Sequence, residues 1–425
     1  MQKTLFVGLL TAMVMASCTS SPNAIPLKTL TPTTTPVSTK VVIPTSMSPT
    51  VVTPTQSDDY LIYLATLDYS HDQQKPMYYD PALNVHVPIL LNWKIDNISI
   101  SIKNRLAFSS SNADHKSVYF LDFPFVDTNP INITPDISAE HQVLSWSPNG
   151  IYLAIESVRP DGKTLSIWDG KELREIHHYK VDIGDLAWSP DDQLAFTEFY
   201  SYVSSYEGDP SEIFIWDGNE IINVSQNASG TDRYPAWSAD GQLAFLSERE
   251  DEYDLFVWDG KSKNNGMPDI HTFINIAPDL TQYYSEPEWT NSGLLTFSAR
   301  SPSDSHTQIY EWDGRSASNI SNNQPSHNGG QTWRSDGYWA FVTFFSEKQE
   351  IHILNNKNQN LLTTSGQYQP AWSQSGLLMF CVNKAPESTG WKLSFWDGTN
   401  VREIVQGNLI VAVWRNGSGV FCSND

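Results

Sequence analysis

The side chains able to do chemistry are numerous in this 425-residue chain, but their spacing does not build a reactive centre. The ten His residues form no metal-spaced motif, and the adjacent pair His177-His178 sits at the end of an expected strand, where neighbours point to opposite faces. There is no Gly-x-Ser-x-Gly nucleophile turn and no H-E-x-x-H helix. The phrases "SPDD", "SADG" and "RSDG" have the acids of a calcium loop, yet each falls where two strands must be joined, so Asp and Gly are read as turn formers. The stretch "SEREDEYDLF" at 247–256 gathers acids and is read as a solvated loop. No catalytic, cofactor or metal residue is assigned. The residues that point to binding are Tyr200, Tyr202, Tyr206, Tyr283 and Tyr284, which are aromatic anchors, with Glu207, Asp209, Glu250 and Asp251 supplying acidity.

Those residues need elements to carry them, and the chain repeats one element. "LSIWDGKEL", "EIFIWDGNEI", "LFVWDGKSK", "IYEWDGRSA" and "LSFWDGTNV" each read as a strand ending in Trp, a tight turn expected to be type I′ on Asp-Gly, and a returning strand. A second phrase opens each unit, as in "LAWSPDDQLAF" and "PAWSADGQLAF". Its Trp recurs at 146, 188, 237, 289, 333, 372 and 414, with Ile100 in the equivalent place. The openings lie about 39 to 52 residues apart, the period of one four-stranded propeller blade. Helical solenoids share the period, but these segments alternate with period two and break at Gly turns. The recurring Trp is read as core.

Strands that alternate in direction put the first-to-second and third-to-fourth turns on one face of the disk and the other connections on the opposite face. The first set is expected to be uniformly short. The second is long and varied at 198–212, 247–253, 277–288 and 298–307, and a variable loop on a rigid scaffold is where binding residues gather. The aromatic and acidic residues named above lie on that face.

These units resemble the TolB-type, or PD40, relatives of WD40 repeats, in which W-S-P-D-G opens the blade; the resemblance covers most of residues 95 to 425. The Gly-His that precedes each first strand in true WD40 repeats is missing, which favours an extracytoplasmic bacterial propeller. The resemblance implies protein contacts at a cell envelope. The fold expected is all-β, a propeller of eight four-stranded blades, the last shared by both chain ends; seven blades plus an extra strand is the alternative, because "DYLIYLAT" and "GVFCSND" both look like second strands.

The first residues, "MQKTLFVGLLTAMVMASC", have a Lys, a short apolar stretch and small residues before Cys18. They resemble a bacterial lipoprotein signal, which implies cleavage after residue 17 and lipid attachment at Cys18. Residues 18–57, rich in Thr, Pro and Ser, are read as a disordered tether able to reach on the order of 120 Å, and residues 58–425 as the propeller domain. A net charge of −22 argues against a nucleic-acid partner. The expectation is a monomeric, membrane-tethered, non-catalytic scaffold for a protein, peptide or glycan, without cofactor; a funnel enzyme (lyase or hydrolase) and an accessory sensor of an envelope complex remain alternatives. The other two cysteines, Cys381 and Cys422, occupy equivalent second-strand places in neighbouring units and are expected to be unpaired buried thiols, because packed sheets stand about 10 Å apart.

Overall fold

The computed structural model describes residues 59–66, 76–90, 93–111, 115–125, 129–200, 210–228, 230–249, 252–264, 267–280, 286–321, 326–344, 349–383 and 390–422. They form an all-β propeller of eight blades. Seven are four-stranded antiparallel sheets in chain order: blade 1 (95–132), blade 2 (140–179), blade 3 (182–223), blade 4 (232–275), blade 5 (288–319), blade 6 (327–365) and blade 7 (367–407). Apolar residues of successive strands interdigitate between adjacent sheets. Phe196, Phe245, Phe297 and Phe380 are fully buried at one repeated position.

The repeated Trp at the end of the first strand is a link between blades as well as core. The indole N–H of Trp146 donates to the Ser99 carbonyl of the preceding blade, and Trp289, Trp372 and Trp414 do the same to Ala236, Thr332 and Ala371. Trp188 and Trp333 reach the hydroxyls of Ser145 and Thr296 instead. These six indoles thus remove apolar area from water without stranding their polar atoms, whereas the Trp237 indole nitrogen is buried without a partner.

The eighth blade closes the ring from both chain ends, as the strand accounting requires, but it has five strands. Leu409–Trp414 pairs on one edge with Leu61–Thr66, which continues into Met77–Asp80 and Val85–Pro88, and on its other edge with Gly419–Cys422. Both segments that looked like second strands are therefore accommodated, one on each side of the same strand. Gly419–Cys422 lies against the first two strands of blade 7, a place that a first strand fills elsewhere. This overturns the expectation of free thiols. Cys422 stands on the opposite side of Leu409–Trp414 from the second-strand place expected for it, and it forms a disulfide with Cys381, with Cα atoms 5.7 Å apart.

Two turn expectations are also corrected. In the "WDG" turns only the Gly is left-handed, with φ of 94°, 102°, 74°, 90° and 95° at Gly170, Gly218, Gly260, Gly314 and Gly398, so the turns are not type I′. Asp acts through its side chain: Asp217 Oδ1 accepts from the backbone N–H of Asn219 and Glu220, and the other four repeat this. The short-turn face is not uniform either, because blade 4 inserts a small hairpin, Lys263–Asn264 with Met267–Pro268, and a single 3-10 turn, Ile270–Thr272, between its third and fourth strands.

Candidate binding site on the propeller axis

First strands form the inner edge of blades 1 to 7, and in six of these they carry a register slip. In blades 3, 4 and 6 the slipped residue is left-handed: Asp185 (φ 48°), Tyr234 (φ 58°) and Gly330 (φ 58°) each lie three places before the repeated Trp. An Asp or Tyr in this region is strained, and a bulge re-aims its side chain out of the sheet pattern. Here it turns toward the axis. Glu286, in the same place relative to Trp289 of blade 5, feels the negative charge of Asp185 although all of blade 4 separates their strands.

The set so assembled is Asp185, Arg233, Tyr234, Glu286 and Glu288. Asp185 Oδ2 accepts from Thr197 Oγ1 at 3.0 Å and from the backbone N–H of Tyr234 at 3.3 Å. Burial nevertheless raises its carboxyl above the usual range, against those bonds and the charge of Arg233. Glu286 is exposed to solvent yet ringed by protein, as a channel residue is; burial and then Asp185 raise its carboxyl. Its carbonyl accepts from Gln331 Nε2 of blade 6 at 3.1 Å. Glu288 is pushed up to about 8, chiefly by burial, although the Trp333 backbone N–H donates to its Oε1 at 3.2 Å. Arg233 places its guanidinium 4.8 Å from the Phe199 ring centre. Three carboxyls that hold protons more tightly than usual, beside one Tyr and one Arg, can accept and donate hydrogen bonds and attract a cationic group. Among the described residues no three His, Cys, Asp or Glu side chains are placed to hold a metal ion.

The sequence reading missed this set, since it looked for binding residues on loops. The signal was present: aligned on the repeated Trp, the third residue before it runs Asn97, Val143, Asp185, Tyr234, Glu286, Gly330, Gln369 and Val411, and the polar members break the expected strand pattern.

Of the residues singled out on the loops, only Tyr200 is described. It is 38 % exposed, its hydroxyl donates to Glu212 Oε2 at 2.6 Å, and its N–H closes the base of the 201–209 loop on the Pro210 carbonyl at 2.9 Å. Glu212 Oε1 accepts in turn from the Asn227 N–H, so Tyr200 is a post that anchors the loop. Tyr202, Tyr206, Glu207, Asp209, Glu250, Asp251, Tyr283, Tyr284 and the candidate lipidation residue Cys18 lie outside the described residues. Of the stretch read as a loop at 247–253, residues 247–249 and 252–253 are strand, since Leu243–Arg249 pairs with Glu252–Trp258 up to Arg249 and Glu252. His177 and His178 point to opposite faces: His177 Nε2 meets Glu198 Oε2 at 2.7 Å, while His178 is exposed.

The sequence matches no protein-family profile and no curated protein. The fold has many counterparts. Prolyl oligopeptidase B from Galerina marginata bound to a 25mer macrocyclization substrate is 10 % identical, with a TM-score of 0.52 over 79 % of this chain and 52 % of that one. The β-propeller domain of the Trilobed protease from Pyrococcus furiosus is 15 % identical, with a TM-score of 0.46 over 73 % of this chain and 97 % of that one. TolB from Acinetobacter baumannii is 12 % identical, with a TM-score of 0.37 over 70 % of this chain and 77 % of that one. This chain thus spans about half the length of the oligopeptidase it resembles. At such identities a likeness bears on fold alone and not on activity, and the β-propeller class rests on the eight sheets of the chain itself.

Proposed function

We propose that this chain is a non-catalytic binding propeller, held outside the cytoplasmic membrane by a lipid on Cys18 and the tether at 18–57, whose axis and long-loop rim receive a protein, peptide or glycan. The observation that carries the reading is the convergence of Asp185, Tyr234, Glu286 and Glu288 from three consecutive blades, with Asp185 and Glu288 already tied to backbone N–H groups. Such groups are held to recognise a ligand, and no nucleophile is poised against a base among them. By their place in the sequence the proposed rim takes Tyr200, Tyr202, Tyr206, Glu207, Asp209, Glu250 and Asp251, between the second and third strands of blades 3 and 4, and Tyr283 and Tyr284, between blades 4 and 5. The envelope location rests on the lipoprotein-like first residues and on the repeats' resemblance to TolB-type units.

One observation favours an enzyme as the second reading. Ionisable groups do meet at the axis, and a carboxyl held near 8 is suited to proton transfer. The two readings separate in one experiment: the full chain, solubilised from membranes in mild detergent, is cross-linked to its partners and these are analysed by mass spectrometry. A binding propeller yields partners with intact covalent structure, retained in stoichiometric amount. Progressive cleavage or elimination of a retained partner on incubation with the purified chain would replace the first reading with the second.

A further inference from the structure

Blade 6 departs from the repeat in one exchange. Blades 2, 3, 4, 5 and 7 begin the second strand with Leu and end the third with Trp, pairing Leu153 with Trp168, Leu194 with Trp216, Leu243 with Trp258, Leu295 with Trp312 and Leu378 with Trp396. In blade 6 the pair is Trp339 with Leu354. Elsewhere the third-strand indole meets the first-strand indole steeply, at 64° for Trp146 and Trp168 and 71° for Trp372 and Trp396. In blade 6 the indole has moved one strand inward and stacks flat on Trp333, at 5.1 Å and 7°. The stack continues through Phe341 to His352, at 5.0 Å and then 4.9 Å.

That exchange leaves the space beside Leu354 open. A crevice of about 260 Å³ lies there between blades 5 and 6, with Ile320, Phe341 and Leu354 as its apolar wall and His352, Asn358 and Asn360 as its polar one. The polar groups are held in place by other bonds. Asn358, left-handed at φ 58°, accepts the Trp339 indole N–H on Oδ1 at 3.0 Å, so its amide nitrogen is turned away from that bond. Asn360 donates to Thr363 Oγ1 at 2.8 Å, and His352 Nδ1 shares a hydrogen bond with the same hydroxyl at 3.1 Å. The other imidazole nitrogen, His352 Nε2, is buried and has no hydrogen-bond partner. A buried polar atom left in that state is costly, and a ligand that supplies the missing bond recovers the cost.

We infer that this crevice is a binding site for one neutral sugar ring, the terminal pyranose of a glycan, with a ring hydroxyl on His352 Nε2, further hydroxyls on the Asn358 and Asn360 amides, and the C–H face of the ring against Phe341 and Leu354. The volume lies below the roughly 300 to 1,000 Å³ of drug-sized pockets, so it suits a single ring. No acidic side chain, Lys or Arg lines the crevice, which selects an uncharged ligand. A phenylalanine side chain of a peptide would fill the apolar wall and leave His352 Nε2 unpaired, and a tyrosine or tryptophan would bring one polar group where the wall offers several. Vicinal hydroxyls each donate and accept, which matches a wall of mixed amide and imidazole groups.

The test uses the full chain and four defined probes, the methyl glycosides of glucose, galactose, mannose and N-acetylglucosamine, followed by saturation-transfer NMR and calorimetric titration. At least one glycoside should bind saturably with a Kd of about 1 mM. Leu354→Trp, which returns the residue of the other blades to the crevice, should abolish that binding. His352→Leu, which keeps bulk but removes both nitrogens, should weaken it about tenfold. If Leu354→Trp fails to fold, His352→Leu decides alone. Binding undiminished in either folded variant, or no saturable binding of any of the four at about 50 mM, overturns the inference. Partner capture through the axis should be unchanged in His352→Leu, so this site and the axial one fail independently.

Discussion

Glu288 keeps a proton in the folded ring that it gives up when the chain unfolds. Its carboxyl is pushed up to about 8, chiefly by burial, from an ordinary value of 4.5. The stability that this group lends is fully present below the ordinary value and is lost as the pH rises toward 8, at about 1.4 kcal/mol for each pH unit in which only the folded state holds the proton. Melting curves recorded from pH 5 to 8 should therefore fall in the wild type and fall less in Glu288→Gln. The turn aspartates have the opposite sign. Backbone N–H groups of Glu172 and Ser316 hold Asp169 and Asp313 below the usual range, and at Asp217, Asp259 and Asp397 such bonds outweigh an opposing burial. Their stabilisation is present above the ordinary carboxylate value and is lost on acidification through their lowered folded values. Beside them, Gly218→Ala tests the backbone alone. An added Cβ there meets nothing within 4 Å, but φ is 102°, so a loss of about 1 kcal/mol in melting experiments reports conformational strain without a steric clash. The Asp-Gly phrase was legible as a turn from the sequence; that Asp works through its carboxylate was not, because type I′ and side-chain-capped turns draw on the same residues.

Strands and blades were legible wherever the repeat was regular. Trp and Leu at fixed spacing announce the first and second strands, and Trp146 pairs with Leu153, as Trp188 does with Leu194. The closing blade defeats that logic at one strand. Gly419–Cys422 has the pattern of a second strand, but Leu61–Thr66 already holds that edge of Leu409–Trp414, and competition between two segments for one edge cannot be read from either alone. The loser takes the inner edge and brings Cys422 to Cys381. The bond ties the last strand to blade 7 across 41 residues, which by loop entropy is worth about 4 kcal/mol. Cys422→Ser, or reduction of the wild type, should lower stability by up to that amount and expose the C-terminal strand to proteolysis first, while thiol titration of the unreduced, denatured domain should find neither Cys381 nor Cys422 free. The axial set was illegible for a related reason. A strand pattern assigns Asp185 to a sheet face, and only the slip in the first strand of blade 3, set by pairing with the second, turns it inward, while Glu286 precedes the short first strand of blade 5, which begins at Glu288.

At the scale of the whole molecule, the proposal is a closed ring carried on a lipid-anchored tether. Cys18→Ala should move the chain from the membrane fraction to the soluble fraction with its melting temperature unchanged; membrane retention at the wild-type level would refute the lipid anchor. The ring itself resists loss of any one link, because adjacent blades are held by buried apolar side chains, at six of the junctions also by an indole hydrogen bond, and both ends of the propeller are tied into one sheet. Such a scaffold fixes the positions of axial side chains independently of what they bind. The measurement that bears most directly on the central claim is partner capture by the full chain compared with the double variant Asp185→Asn, Glu286→Gln, which removes two axial charges while preserving shape. The variant should melt no lower than the wild type and retain its cross-linked partner about tenfold less, with the partner chemically unaltered by either form. Equal capture by the two forms, or a partner that the wild type converts and the variant does not, would contradict that claim.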